Sequence, residues 1–256
     1  MAASAFVEPP LRWLAVRAGY PLQLSGVSTL VGVYFATVLM LRSIDQRPWV
    51  DIDLSTQAAQ PRVLLTGWLA GALSIGAACA VLLVTGLLAF VPSPSSVSWL
   101  GAAIRTTLVL MPASLGEEMM LRGYLLTIVR DTVGTRAAVI GTSVMFGLLH
   151  LANPGSTATS LFVVMLAGVF LATVRLALKS LWAAWMAHLA WNWIMAVVLH
   201  ASVSGIEFQT PVYRAMTSGP AWLSGGEWGP EGGLVAALGL MGGLTYFYMR
   251  RRREES

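Results

Sequence analysis

The segment SLGEEMMLR, residues 114–122, places two adjacent glutamates shortly before an arginine. On a helix Glu118 and Arg122 share one face, and the Glu-before-Arg order at i,i+4 suits an ion pair. Glu117 is turned about 100° away from Glu118, so it is free to face something else. Ser114, three residues earlier, also offers Glu117 a place in a capping box, where the helix N-terminus would favour its carboxylate form. The two roles are compatible. A second group is FGLLH, residues 146–150. Phe146 and His150 lie on one helix face, where the ring can buttress the imidazole, although a lone histidine at a helix end is more often structural. A third is HLAWN, residues 188–192, with His188 and Asn192 on one face. Hydrogen bonding between helices would also explain that pair. Taken together, a carboxylate, an imidazole and a His–Asn pair can activate a water and stabilise an oxyanion.

The elements that must position these groups are apolar. Of 256 residues, 56% are hydrophobic and 11% charged, against about a quarter charged in an average soluble domain. That excludes a soluble enzyme, a disordered chain, a nucleic-acid module and a disulfide scaffold. Residues 18–41, 63–104, 137–174, 180–206 and 232–249 carry no charge, and about 20 apolar residues suffice to cross a bilayer. The runs do not alternate apolar and polar residues, as a membrane β-barrel would. The expected fold is all-α: a polytopic transmembrane bundle of about eight helices, at 18–41, 63–91, 98–115, 116–131, 135–151, 158–177, 180–200 and 233–249, with no strand. A single integral membrane domain is expected over 1–256, with a catalytic core at about 98–200, a Gly/Pro-rich loop at 201–232 and a basic tail at 250–256. Gly67 with Gly71 and Gly239 with Gly243 form small-xxx-small pairs suited to helix packing. The single cysteine, Cys79, precludes an intramolecular disulfide. The N-terminus lacks the pattern of a cleaved signal peptide, and Phe6 to Arg17 could lie at the interface.

With eight crossings, one face receives Arg12, Arg17, Arg130, Arg136, Arg175, Lys179 and Arg250 to Arg253, and the other Arg42, Arg47, Arg62 and Arg214. The positive-inside rule then puts both termini in the cytosol. A seven-crossing version, with 98–131 crossing once, would leave the N-terminal arginines outside. A tight turn near Val133 and Gly134 places Glu117 about 16 residues before it and His150 about 16 after, at one depth about 25 Å away. His200 is expected near headgroups, and Arg105 snorkelling or paired with an acid. Glu207, Glu227 and Glu231 are expected to be solvated, and the tryptophans to act as interfacial anchors.

Glu-Glu-x-x-x-Arg (Glu117, Glu118, Arg122), Phe-x-x-x-His (Phe146, His150) and His-x-x-x-Asn (His188, Asn192), in that order, resemble the three motifs of the CAAX protease and bacteriocin-processing family of intramembrane peptidases. The resemblance covers about Leu100 to Leu199. It implies an eight-helix fold and an endopeptidase of the type II CAAX prenyl protease kind. It assigns water activation to Glu117 and His150, oxyanion stabilisation to His188 and Asn192, and support to Glu118 and Arg122. The implied partners are the lipid bilayer and a membrane-associated protein or peptide, such as a prenylated tail or a leader peptide, with no nucleic acid. The implied location is a bacterial inner or plasma membrane.

Metal is open at this stage. Glu117, His150 and His188 could hold a zinc ion with a fourth position free for water. A metal-free, glutamate-dependent mechanism is preferred, because no HExxH is present and a glutamate used as ligand could not also be the base. Two other functions compete: a proton-coupled transporter, since buried Glu and His can relay protons, and a non-catalytic immunity or scaffold protein of the same fold.

Overall fold

The structure, a computed structural model, describes residues 25–95 and 97–254. Helix α1 (Ser25–Leu39) ends in a π turn, Met40–Ile44. A polar segment with two 3-10 turns leads to α2 (Pro61–Val84). Strand β1 (Leu88–Pro92) follows, then α3 (Trp99–Glu118), a π turn at Met119–Leu125 and α4 (Leu126–Val133). Next come α5 (Thr135–Leu149), α6 (Ala158–Leu178) and α7 (Leu181–Trp193), the last extended by a π turn through Leu199. Strand β2 (Tyr213–Thr217), the short α8 (Ala221–Ser224) and α9 (Leu234–Glu254) complete the chain. The all-α expectation holds for the bundle. Four of the helical stretches, Gly26–Ile44, Pro61–Val84, Ala158–Leu178 and Leu181–Leu199, are long and apolar enough to cross a membrane.

Helix α7 is central, packing on α2, α3 and α6. Small residues make this possible. A β-carbon at Gly67 would overlap the carbonyl of Ala183, and one at Gly71 the carbonyl of Ala187. Gly239 sits equally tightly on the Ser74 carbonyl, and a β-carbon at Gly243 would come within 2.6 Å of Phe170. Both small-xxx-small pairs are therefore helix crossings. The turn before α7 uses Lys179 in the left-handed region and Ser180 as N-cap, whose hydroxyl accepts from the Ala183 N–H. Gly134, at φ 95°, makes the turn between α4 and α5.

Four expectations change. First, 98–115 and 116–131 are not separate helices: α3 runs through Pro112 and Gly116 without stopping. Gly116 serves close approach instead, since a β-carbon there would come within 3.2 Å of Leu30 on α1. Pro112 lacks the N–H that would meet the Leu108 carbonyl, a loss that packing by neighbouring helices makes tolerable inside a membrane helix, and the Trp185 indole of α7 donates to the nearby Met111 carbonyl. Second, Ser114 caps nothing; it lies inside α3, and its hydroxyl donates to the Leu110 carbonyl at 2.7 Å. Third, two short strands exist, and β1 pairs antiparallel with β2, Leu88 opposite Thr217. The end of the expected 63–91 helix is therefore extended chain.

Fourth, the distribution of positive charge changes because 99–133 is one helical path. The polar segment 45–60 packs on the end that carries Arg130 and Arg175. Arg47 donates to Asp131 at 2.6 Å, Arg175 to Asp53 at 3.2 Å, and the Ser180 hydroxyl to the Ala58 carbonyl at 2.7 Å. The hydrogen bond to Asp131 raises the pKa of the Arg47 guanidinium above its ordinary value. Arg136 and Arg250 line one shared pocket at the same end. Arg42, Arg47 and Arg62 thus join the basic face rather than opposing it, and Arg214 remains on the other. Residues 1–24, with Arg12, Arg17 and the start of the expected first helix, lie outside the described residues.

The α2–α7 crossing gives a direct test. Gly71→Val should destabilise the protein by about 2 kcal/mol or more, the cost of overpacking a tight contact. Gly76→Val, on the same helix with nothing within 4 Å, should leave thermal unfolding in detergent unchanged.

Candidate active site

The first motif sits where α3 gives way to the π turn. Within that turn Gly123 leaves helical geometry altogether, at φ −77° and ψ −107°. A break of this kind frees backbone carbonyls, which cannot be left unpaired in an apolar interior. Arg175 of α6 supplies the donors. Its fully buried guanidinium donates to the carbonyl oxygens of Arg122 and Gly123 and to the Thr127 hydroxyl, and its Nε reaches Asp53. Pattern reading counted Arg175 only as a topology charge. Its place inside an apolar helix, three residues before the end of α6, is the signal that could have marked it.

Beyond the break, the three motifs converge. Glu118 and Arg122 form the expected pair, 3.2 Å apart with both side chains fully buried. Glu118 does more than that: the same Oε1 accepts from Nδ1 of His188 at 2.9 Å. Across that imidazole, Nε2 lies 3.8 Å from Oε2 of Glu117, whose side chain is 31% exposed. This gap is too long for a direct hydrogen bond, and a water could span it. Phe146 is the hub between motifs. The Arg122 guanidinium lies 4.2 Å from its ring centroid, a cation–π contact. The His150 and His188 rings meet it edge-on at 4.7 Å and 5.8 Å. His150 caps the end of α5, and its Nδ1 lies 2.7 Å from the Phe146 carbonyl. A carbonyl only accepts, so Nδ1 is the donor in this contact.

His150, His188 and Asn192 line one small cavity of about 30 Å³, together with Phe146, Ser204 and Glu231. Glu117 is not in its wall. Its carboxylate is near His188, 3.8 Å from Nε2, and forms no hydrogen bond or ion pair with His150. His188 is thus the residue that both meets Glu117 and shares the cavity wall with His150.

Several residues set aside by pattern reading belong here. Glu231 is buried rather than solvated: it accepts from the Trp191 indole at 2.6 Å and from the Ser204 N–H and hydroxyl at 2.7 Å each. Trp228 is fully buried, not an interfacial anchor, with its ring centroid 6.4 Å from that of His150. His200 is buried too, its ring edge-on to Tyr213 at 5.1 Å. Arg105 donates to Gln209 at 2.9 Å instead of meeting an acid. Glu207 and Glu227 are exposed, as expected. Nothing in the composition of GPEGG separates Glu231 from its loop neighbours.

Among the described residues, no group of three or more His, Cys, Asp or Glu side chains is arranged to hold a metal ion.

Comparison with known families falls on the same stretch. The family model of the type II CAAX prenyl endopeptidase Rce1-like proteins matches residues 98–194. The match covers 97 of the chain's 256 residues. It spans α3 to α7, which carry every motif residue, and leaves α1, α2 and α9 outside. Neither a curated protein nor a solved structure matches the chain.

The buried Glu118–Arg122 pair can be tested apart from any activity. Removing one partner strands a buried charge, so Glu118→Ala should cost about 3–5 kcal/mol. Replacing both with apolar residues of similar size, Glu118→Leu with Arg122→Met, should recover most of that loss in thermal unfolding. A double variant as unstable as the single one would contradict the pairing.

Proposed function

We propose that the chain is an intramembrane endopeptidase that hydrolyses a peptide bond of a membrane-associated substrate, with Glu117, His150, His188 and Asn192 as its reacting groups. The observation that carries this is the meeting of three separate motifs around Phe146, with a carboxylate, two imidazoles and an amide within one neighbourhood. The Rce1-like match over the same helices supports it.

Proton bookkeeping defines the roles. An ionised Glu118 can only accept, so His188 donates its Nδ1 proton to it. A neutral His188 then has a lone pair at Nε2 and cannot donate to an oxyanion. The oxyanion role therefore requires the imidazolium, held between the carboxylates of Glu117 and Glu118. A water between Glu117 and the substrate gives its proton to Glu117, and its oxygen attacks the scissile carbonyl. His188 Nε2 and the Asn192 amide donate to the carbonyl oxygen as it gains charge. The proton then passes to the departing amine nitrogen as the C–N bond breaks. His150, whose Nδ1 is held by the Phe146 carbonyl, offers Nε2 in its neutral form as a second base in the cavity wall. None of these steps uses a metal.

Orientation follows from the basic face. The segment 45–60 and the ends of α4, α6 and α9 gather the positive charges, and the positive-inside rule places that face in the cytosol. The cavity lies toward the opposite face, beneath the 201–232 loop. This reading keeps the C-terminus cytosolic and has the active site approach the non-cytosolic side.

Glu117→Ala and His150→Ala should each lower cleavage by about a hundredfold or more, the range of general acid–base catalysis, while leaving the fold intact by circular dichroism. Asn192→Ala should cost about a hundredfold, as loss of one oxyanion donor does. A quenched fluorogenic peptide ending in a farnesylated CAAX sequence, and its unfarnesylated twin, provide the readout in bicelles. Activity should survive exhaustive chelation with EDTA and 1,10-phenanthroline. Loss on chelation followed by recovery with zinc would replace this mechanism with a metal-dependent one.

A further inference from the structure

Glu231 is the one buried carboxylate of the cavity wall that neither the motifs nor the mechanism uses. It stands outside the Rce1-like stretch, in the segment that leads into α9. Its two oxygens are committed to donors on different elements. Oε2 accepts from the Trp191 indole of α7, between His188 and Asn192 in sequence, at 2.6 Å. Oε1 accepts from the backbone N–H and the hydroxyl of Ser204, each at 2.7 Å. Ser204 sits in the left-handed region, at φ 50°, a conformation that a serine holds only under such constraint. The chain of contacts continues. The Ser204 carbonyl accepts from the Asn153 side chain at 2.9 Å, and the Asn153 N–H donates to the His150 carbonyl at 3.0 Å.

One carboxylate therefore ties α7, which bears His188 and Asn192, to the turn that follows His150. All of its partners are donors, which suits a charged acceptor and makes the bonds short. We propose that Glu231 is a positioning residue: by bridging Trp191 and Ser204 it fixes the distance between His150 and the His188–Asn192 pair and closes the roof of the cavity. The proposal rests on the endopeptidase reading for its kinetic consequence, and on geometry alone for the roof.

Glu231→Gln tests it sharply. An amide has one acceptor and one donor, so whichever way it turns its NH₂ faces an N–H. The mismatch should displace one side of the bridge. With the farnesylated and unfarnesylated fluorogenic peptides, kcat should fall about tenfold or more while KM stays within about twofold, the pattern of lost transition-state geometry. Adding Trp191→Phe removes the clashing donor but leaves α7 untied from Ser204. The double variant should therefore regain thermal stability without regaining kcat. Recovery of wild-type kcat in the double variant overturns the proposal, as does a wild-type kcat in Glu231→Gln.

The single cysteine gives a second readout that needs no turnover. Cys79 is buried in the same apolar cluster as Trp191 and Trp228. N-ethylmaleimide should label it about tenfold faster in Glu231→Gln than in wild type, as local opening becomes easier. If wild type cleaves neither peptide, the endopeptidase reading fails while the labelling still decides the roof: an unchanged rate overturns the bridge, and a faster one supports it.

Discussion

Charge buried in an apolar bundle must be answered from within the bundle, and that constraint organises this molecule. Water cannot solvate Glu118 and Arg122, whose side chains have no exposure. The cost of a lone ion at such depth is several kcal/mol. Glu118 is met by Arg122 on its own helix and by His188 on α7. Arg122 also lays its guanidinium on Phe146 of α5. The requirement for partners thus draws three helices to one point. The imidazole that serves as Glu118's partner is the one whose free nitrogen faces Glu117. Stability and chemistry share a single set of contacts here.

The backbone makes room for this set by breaking its own ladder. A regular helix from Trp99 to Val133 would have carried its carbonyls past the cluster fully paired. The π turn and the bend at Gly123 change the direction of the helix just after the two glutamates. Bulges of this type concentrate at functional sites because they re-aim side chains. Their price is a pair of freed carbonyls, and Arg175 meets it from α6 while its Nε holds Asp53 in the polar segment. A cation read from sequence as a topology marker is, in three dimensions, a backbone cap.

How much of this was legible in the sequence follows from the range of the signals. The Glu118–Arg122 pair, the Phe146–His150 stack and the shared face of His188 and Asn192 are all i,i+4 relations, and helical periodicity exposes them directly. The tight packing of Gly67, Gly71, Gly239 and Gly243 was legible for the same reason. Pro112 and Gly116 misled because their breaking tendency belongs to helices in water; in the bundle, the packing of α1 and α7 on α3 lets the helix continue. That one difference moved Arg42, Arg47 and Arg62 to the other face. Glu231, Trp228 and His200 were illegible because their burial depends on contacts between the 200–232 segment and distant helices. Their neighbours in sequence, rich in Gly and Pro, carry no period that would reveal it.

The size of the cavity bears on how a substrate would arrive. About 30 Å³ is room for a water molecule and little more, far short of a peptide. Its roof is held by Glu231, by the Gly205 N–H on the Trp228 carbonyl, and by glycines at 225, 229 and 233 packed too closely to admit a β-carbon. A roof so tied does not offer an easy entrance. Glu117 is different: it lies outside the cavity wall, 31% exposed, with only a 3.8 Å gap between it and His188. A substrate that is to touch Asn192 and His150 as well as Glu117 therefore requires the pocket to widen, because both of those side chains line the closed cavity.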